Sequence, residues 1–328
     1  MNNLNIQSEL MHSIESKTNE ISFGSLRYYC FCAAGGALSC GLTHTLLTPL
    51  DLIKCRMQVD SRTYPSILKG LEYSLRQEGA RVLVRGWSPT ILGYSVQGLC
   101  KFGFYEKFKT LYSDCFDREQ SYRYRTAIYL AASASAEFLA DIALAPFEAC
   151  KVRIQTVPTS SARLRKVFPE IWSQERYRGF YKGLVPLWLR QIPYTMMKFS
   201  CFELTVEMLY NHLMPKPKEK CNKSEQLIIT FIAGYISGIF CCIVSHPADT
   251  IVSKLNQNLS NQSWRKTLSE IGFFALWKGI IPRILMIGTL TASQWFIYDA
   301  FKIYTHLPRP SPPKIQTISD RMDDNRLD

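Results

Sequence analysis

The feature that most constrains this chain is a pattern that occurs three times along its 328 residues. Its first landmark is a proline, an acid two residues on, and a base three further. The copies are Pro49, Asp51 and Lys54; Pro146, Glu148 and Lys151; and Pro247 and Asp249, with Val252 at the base position. The prolines stand 97 and 101 residues apart. A second landmark follows each: Arg85-Gly86 before Pro89, Lys182-Gly183 before Pro186, and Lys278-Gly279 before Pro282. An aromatic–acid pair closes each unit, at Tyr105-Glu106, Phe202-Glu203 and Tyr298-Asp299. A repeat obliges equivalent segments to share one structure, so it outranks any local signal.

Long apolar runs precede the first and third prolines. Residues 28–50 and 226–248 carry no formal charge apart from His44 and His246, and each is long enough to span a bilayer. The equivalent segments elsewhere are less clean. Residues 130–146 hold Glu137 and Asp141, 86–106 hold Lys101, and 186–203 hold Arg190 and Lys198. Hydropathy alone predicts two spanning helices; the repeat predicts six. The polar residues must then face inward, because a charge exposed to lipid at mid-bilayer costs at least ~2.5–3.5 kcal/mol. Shorter polar stretches, 65–78, 163–175 and 264–272, read as helices lying on the membrane surface. The expected fold is an all-α membrane protein with six transmembrane helices in three pseudo-symmetric repeats around a central pathway, plus three short surface helices. The boundaries follow: an extension over 1–23, repeats over 24–118, 119–219 and 220–307, and a tail over 308–328. An even number of spans puts both ends of the bundle's chain on one side.

The net charge of +12 suits an anionic substrate, acidic lipid or nucleic acid. No nucleic-acid motif appears, and the aromatics lie mostly in apolar stretches, so no nucleic-acid partner is expected. The 11 cysteines are scattered without zinc spacing and read as reduced residues packed in helices. Residues 1–23 hold three glutamates and no arginine, unlike an amphipathic transit peptide, so an import signal is expected to be internal. No nucleophile–base constellation or metal motif recurs, which argues against an enzyme.

These landmarks resemble the mitochondrial carrier family, over about residues 24–305. The stretches 38–45, 99–106, 131–138, 190–199 and 288–296 are more specific and resemble its phosphate-transporting members. The resemblance implies electroneutral phosphate transport across the mitochondrial inner membrane, by proton symport or hydroxide antiport. It implies termini toward the intermembrane space, surface helices toward the matrix, and cardiolipin bound where the basic-Gly pairs start helices. It also implies two gates of acid–base pairs between repeats; at the matrix gate the acid of one repeat pairs with the base of the next. The matrix gate would use Asp51, Lys54, Glu148, Lys151 and Asp249, braced by Gln58 and Gln155. The cytoplasmic gate would use Glu106, Lys109, Glu203, Asp299 and Lys302. Val252 and Val206 each remove one base, leaving two pairs per gate.

Helix geometry supplies the pathway between the gates. Glu137 lies four residues from Asp141 and eleven from Glu148, which places all three on one face. His44, seven residues before Asp51, falls on the axis side by the same count. His44, Glu137 and Asp141 are therefore candidate proton acceptors, the alternative being static interhelical hydrogen bonds. By the resemblance, Arg190 with Gln191 occupies a substrate-contact level, and a guanidinium suits a tetrahedral oxyanion. Lys101, Lys198 and Gln294 are repeat-equivalent and form a second candidate level of anion attraction. The alternative is that the lysines pair with gate acids or cavity carboxylates. Gln97 and Tyr194 are candidate donors to phosphate oxygens. Gly35, Gly36, Ser39, Ser133, Ser135, Gly234 and Gly238 should permit close helix approach.

One other solute stays open at this point: Cys40 and His44, four residues apart, offer two ligands to soft copper, carried alone or in addition to phosphate. A dicarboxylate would also suit Arg190, but the stretches that resemble the phosphate-transporting members argue against it. A non-transporting helical scaffold is the alternative of another class; it gives no reason for Arg190, Lys101 and Glu137 in apolar surroundings. Three repeats around one pathway need no second copy, so a monomer is expected to function.

Overall fold

The computed structural model describes residues 21–60, 62–156, 163–213, 221–257, 277 and 280–307. Among them the chain forms ten α-helices and one 3-10 turn, and no strand. Ser25 opens α1 (Leu26–Leu46) by accepting the Tyr28 amide on its hydroxyl at 3.1 Å. The helix stops at Leu47 and restarts as α2 (Thr48–Val59), with Pro49 in the first turn. The two axes meet at 61°. Proline has no N–H to continue the ladder, and its ring crowds the preceding turn. The first repeat alone breaks its helix in this way. Pro146 lies inside the continuous α6 (Arg125–Thr156) and Pro247 inside the continuous α9 (Lys223–Gln257).

The even spans are α4 (Trp87–Ser113), α8 (Leu184–Leu213) and α10 (Ile280–Tyr304). Neighbours pack in the order α1, α4, α6, α8, α9, α10, and α10 returns to α1, which closes a ring. Leu42, Leu46, Leu139, Leu189, Phe231 and Ile243 are exposed on its outside, while Lys101, Glu137, Asp141, Lys151 and Lys198 are buried. Apolar outside and charged inside is the reverse of a soluble bundle and is what a bilayer demands. The segment from Arg125 to Thr156 is long and apolar enough to cross a membrane, as the repeat predicts, and by hydropathy too, which was expected to miss it. The leucine, isoleucine and alanine around Glu137 and Asp141 outweigh the two acids.

Close approach is sharpest between α1 and α4. A Cβ on Gly36 would strike the Gly98 carbonyl and Phe102, so side chains are excluded where the backbones cross. The chain ends of the bundle share one side: Tyr28 and Cys32 cluster with Leu307 and Phe301. The short helices α3 (Ile67–Glu78) and α7 (Leu164–Tyr181) lie between paired spans. α3 is strapped to α2 by Arg56, which bonds both Glu78 oxygens and Ser74. α7 continues past the expected end at Glu175, but through Arg176 at φ 52°, ψ −145°. The third expected surface helix, at 264–272, lies outside the described residues. One unexpected short helix, α5 (Arg118–Arg123), joins the first two repeats.

Candidate transport pathway

At the end of the ring that holds both chain ends, the acids close a network. Lys302 Nζ donates to Glu106 Oε1 at 2.7 Å. Lys109 Nζ lies 3.0 Å from both Glu106 and Glu203, and Tyr105 adds its hydroxyl to Glu203 at 3.2 Å. The network thus holds two cross-repeat pairs. Asp299, which faces a repeat whose base is Val206, accepts the Thr230 hydroxyl at 2.6 Å. Beneath lies an aromatic layer of Phe102, Tyr105, Phe199, Phe202, Trp295 and Tyr298. Phe202 stacks on Trp295 with centroids 3.5 Å apart. This layer bars water where the ion pairs alone would leave gaps.

Midway along the axis the polar residues converge. Lys101 Nζ is 2.9 Å from Glu137 Oε2. The Gln97 amide donates to Glu137 Oε1 at 3.0 Å and to Asp141 Oδ1 at 3.2 Å. Lys198 donates to Gln294, and Tyr194 lies 3.3 Å from the Thr291 hydroxyl. Of the expected level, Lys198 and Gln294 are thus joined to each other, while Lys101 is turned to Glu137. Lys101 is committed to a carboxylate, as the alternative reading allowed, because a buried lysine needs a counter-charge. Gln97 likewise spans two acids and is not free to meet an anion. Arg190 is half-buried and makes no hydrogen bond or ion pair with any described residue. Gln191, beside it, is also half-buried.

At the proline end, Lys151 Nζ donates to Asp51 Oδ2 at 3.0 Å, the acid of one repeat and the base of the next. Glu148 lies 3.6 Å from the same ammonium, within its own helix. Lys54 is exposed and makes no ion pair with a described residue. The side chains of Gln58 and Asp249 lie outside the described set. Gln155 braces no gate pair: its amide points to the Arg85 carbonyl at 3.5 Å, since the loop before α4 lies across it. His44 lies flat on the Tyr94 ring, 3.7 Å between centroids and 10° between planes. Cys40 is buried, and among the described residues no group of three or more His, Cys, Asp or Glu is placed to hold a metal.

Tyr94 is the residue that sequence reasoning missed. Its hydroxyl receives a bond from Lys151 at 3.4 Å and donates to Glu148 at 3.5 Å. It thereby satisfies the acid that lost its base to Val252, while its ring carries His44. The signal was present: Tyr94 is the repeat-equivalent of Gln191. The aromatic layer was also overlooked, because its members read as ordinary span residues.

A closed ring of six spans with ion pairs at both ends, and between them a guanidinium that no described residue pairs, is the architecture of a membrane carrier. The sequence profile described as mitochondrial carrier protein matches residues 28–115, 122–213 and 223–307, and the chain belongs to that family. The chain is 58% identical over 312 residues to "Phosphate carrier protein, mitochondrial" of Caenorhabditis elegans, covering 95% of this chain and 92% of that protein. It is 58% identical over 293 residues to "Solute carrier family 25 member 3" of Bos taurus, covering 89% and 81%. It is 53% identical over 289 residues to "Mitochondrial phosphate carrier protein 3, mitochondrial" of Arabidopsis thaliana, covering 88% and 77%.

Proposed function

We propose that this chain moves inorganic phosphate across the mitochondrial inner membrane together with a proton, by alternating access, as a monomer and not as an enzyme. The observation that carries the proposal is Arg190, half-buried in the ring and unpaired among the described residues. The relatives whose names specify phosphate support the choice of anion. A guanidinium fork matches two oxygens of a phosphate at once, and a low-dielectric wall strengthens that bond. The end that holds both chain ends would face the intermembrane space, and α3 and α7 the matrix. In the cycle, phosphate enters from the first side, docks at Arg190, and leaves once the Asp51–Lys151 side opens. Proton acceptors beside it keep the movement electrically neutral. Cardiolipin would sit where Arg85-Gly86 and Lys182-Gly183 start α4 and α8, since helix starts present free amides to phosphate groups.

Purified protein in liposomes tests the proposal. Labelled phosphate should accumulate faster under an inward proton gradient, and excess malate should not compete. Folded protein that moves no phosphate would overturn the substrate. Phosphate uptake indifferent to the gradient would overturn the proton coupling and leave the carrier standing.

A further inference from the structure

We infer that Asp141 is the residue that takes up the transported proton, and that phosphate on Arg190 is what drives it to do so. The inference rests on the carrier reading above and narrows three candidate acceptors to one. His44 lies against Tyr94, and the charges that act on it most are those of the Asp51–Lys151 pair. Glu137 is already compensated, with Lys101 at 2.9 Å and the Gln97 amide at 3.0 Å. Asp141 receives only the second proton of that same amide, on Oδ1 at 3.2 Å. Its side chain is fully buried, and its Oδ2 has no hydrogen-bond partner among the described residues.

The charged groups that face Asp141 are few. Glu137 of its own helix repels it, Lys101 of α4 is engaged by Glu137, and Arg190 reaches it from α8. Of the two cations whose charge acts on Asp141, Lys101 more and Arg190 less, Arg190 alone makes no ion pair with a described residue, although Glu148 and Asp51 also feel its charge. A phosphate monoanion docked on the guanidinium neutralises that charge. An ionised Asp141 would then keep only the Gln97 amide and the Lys101 charge that Glu137 already engages, so it accepts a proton on Oδ2. The empty site holds one guanidinium and one carboxylate. The loaded site holds one guanidinium, one carboxylic acid and one dihydrogen phosphate. Net charge is the same in both, so the same barrel can cross loaded and return empty. By reciprocity, protonated Asp141 binds phosphate more tightly by the same factor that phosphate favours the proton.

The test compares two modes of transport in one liposome preparation: net uptake of labelled phosphate under an inward proton gradient, and exchange against internal unlabelled phosphate. Asp141→Asn fixes the neutral form. It can load phosphate, but its empty state carries a bare guanidinium and returns poorly. Coupling between two ligands is typically ~5–150-fold, so the ratio of net uptake to exchange should fall about tenfold or more. An unchanged ratio would overturn the assignment, as would loss of both modes in a variant that melts like the parent. If D141N does not fold, Asp141→Glu takes its place, and the pH midpoint of gradient-driven uptake should move; an unmoved midpoint counts against Asp141. Failure of the carrier reading looks different, because the parent protein would then show neither mode.

Discussion

Tyr94 carries two contacts that a phenylalanine would divide. Its ring stacks on His44, and its hydroxyl joins Lys151 to Glu148. Tyr94→Phe keeps the stack and removes the hydroxyl. Loss of such a buried bond costs about 0.5–1.5 kcal/mol, so the melting temperature of the purified protein should fall by a small, measurable amount. An unshifted melt would show that the hydroxyl holds nothing at that gate. Residue placement was legible in the sequence where the repeat set a register. The counts that put Glu137 and Asp141 on one face led to residues that share the Gln97 amide. Partners were not legible, because register says which side chains point inward and not which reach each other. Lys101 could serve an anion or a carboxylate from its position alone. Only the distance to Glu137 decides the matter.

At the scale of elements, the repeat was readable and its local exceptions were not. The prolines 97 and 101 residues apart mark equivalent points of the odd helices. Yet the same residue interrupts the helix in the first repeat and is absorbed within continuous α6 and α9. Packing around each proline, invisible in a motif, decides between the two. A second exception sits on the surface helices. Gly79 ends α3 at φ 75°, ψ 176°, a conformation that suits glycine. Its repeat-equivalent is Arg176, held at φ 52°, ψ −145°. A side chain there is strained by roughly 1–3 kcal/mol, partly offset by the backbone entropy that glycine loses on folding. Arg176→Gly should therefore stabilise the protein by about 1 kcal/mol, read as a higher melting temperature. A lower one would mean that the Arg176 side chain contributes more than its backbone costs.

For the whole molecule, the argument turns on what six helices can enclose. Two spans are plain to hydropathy, and the bent α1–α2 pair makes a third. Of the other three, α4 and α8 carry buried lysines, Lys101 and Lys198, in mid-span, which lower their hydropathy. The ring also explains why both ends hold incomplete networks. Two cross-repeat pairs close the end at Glu106 and Glu203, and Asp51–Lys151 bridges the other. In such partly buried pairs the attraction is largely offset by the cost of desolvating both charges. A carrier can open either end without surmounting a large barrier, provided the ligand in the middle decides which.

That ligand meets the protein at Arg190, so the decisive measurement is uptake of labelled phosphate by the parent and by Arg190→Ala under the same inward proton gradient. A hydrogen bond to a charged group contributes about 1.5–3 kcal/mol, so removing the guanidinium should lower uptake at least about tenfold. Folded Arg190→Ala protein that still takes up phosphate at the parental rate would contradict the account, because the anion would then be bound somewhere else.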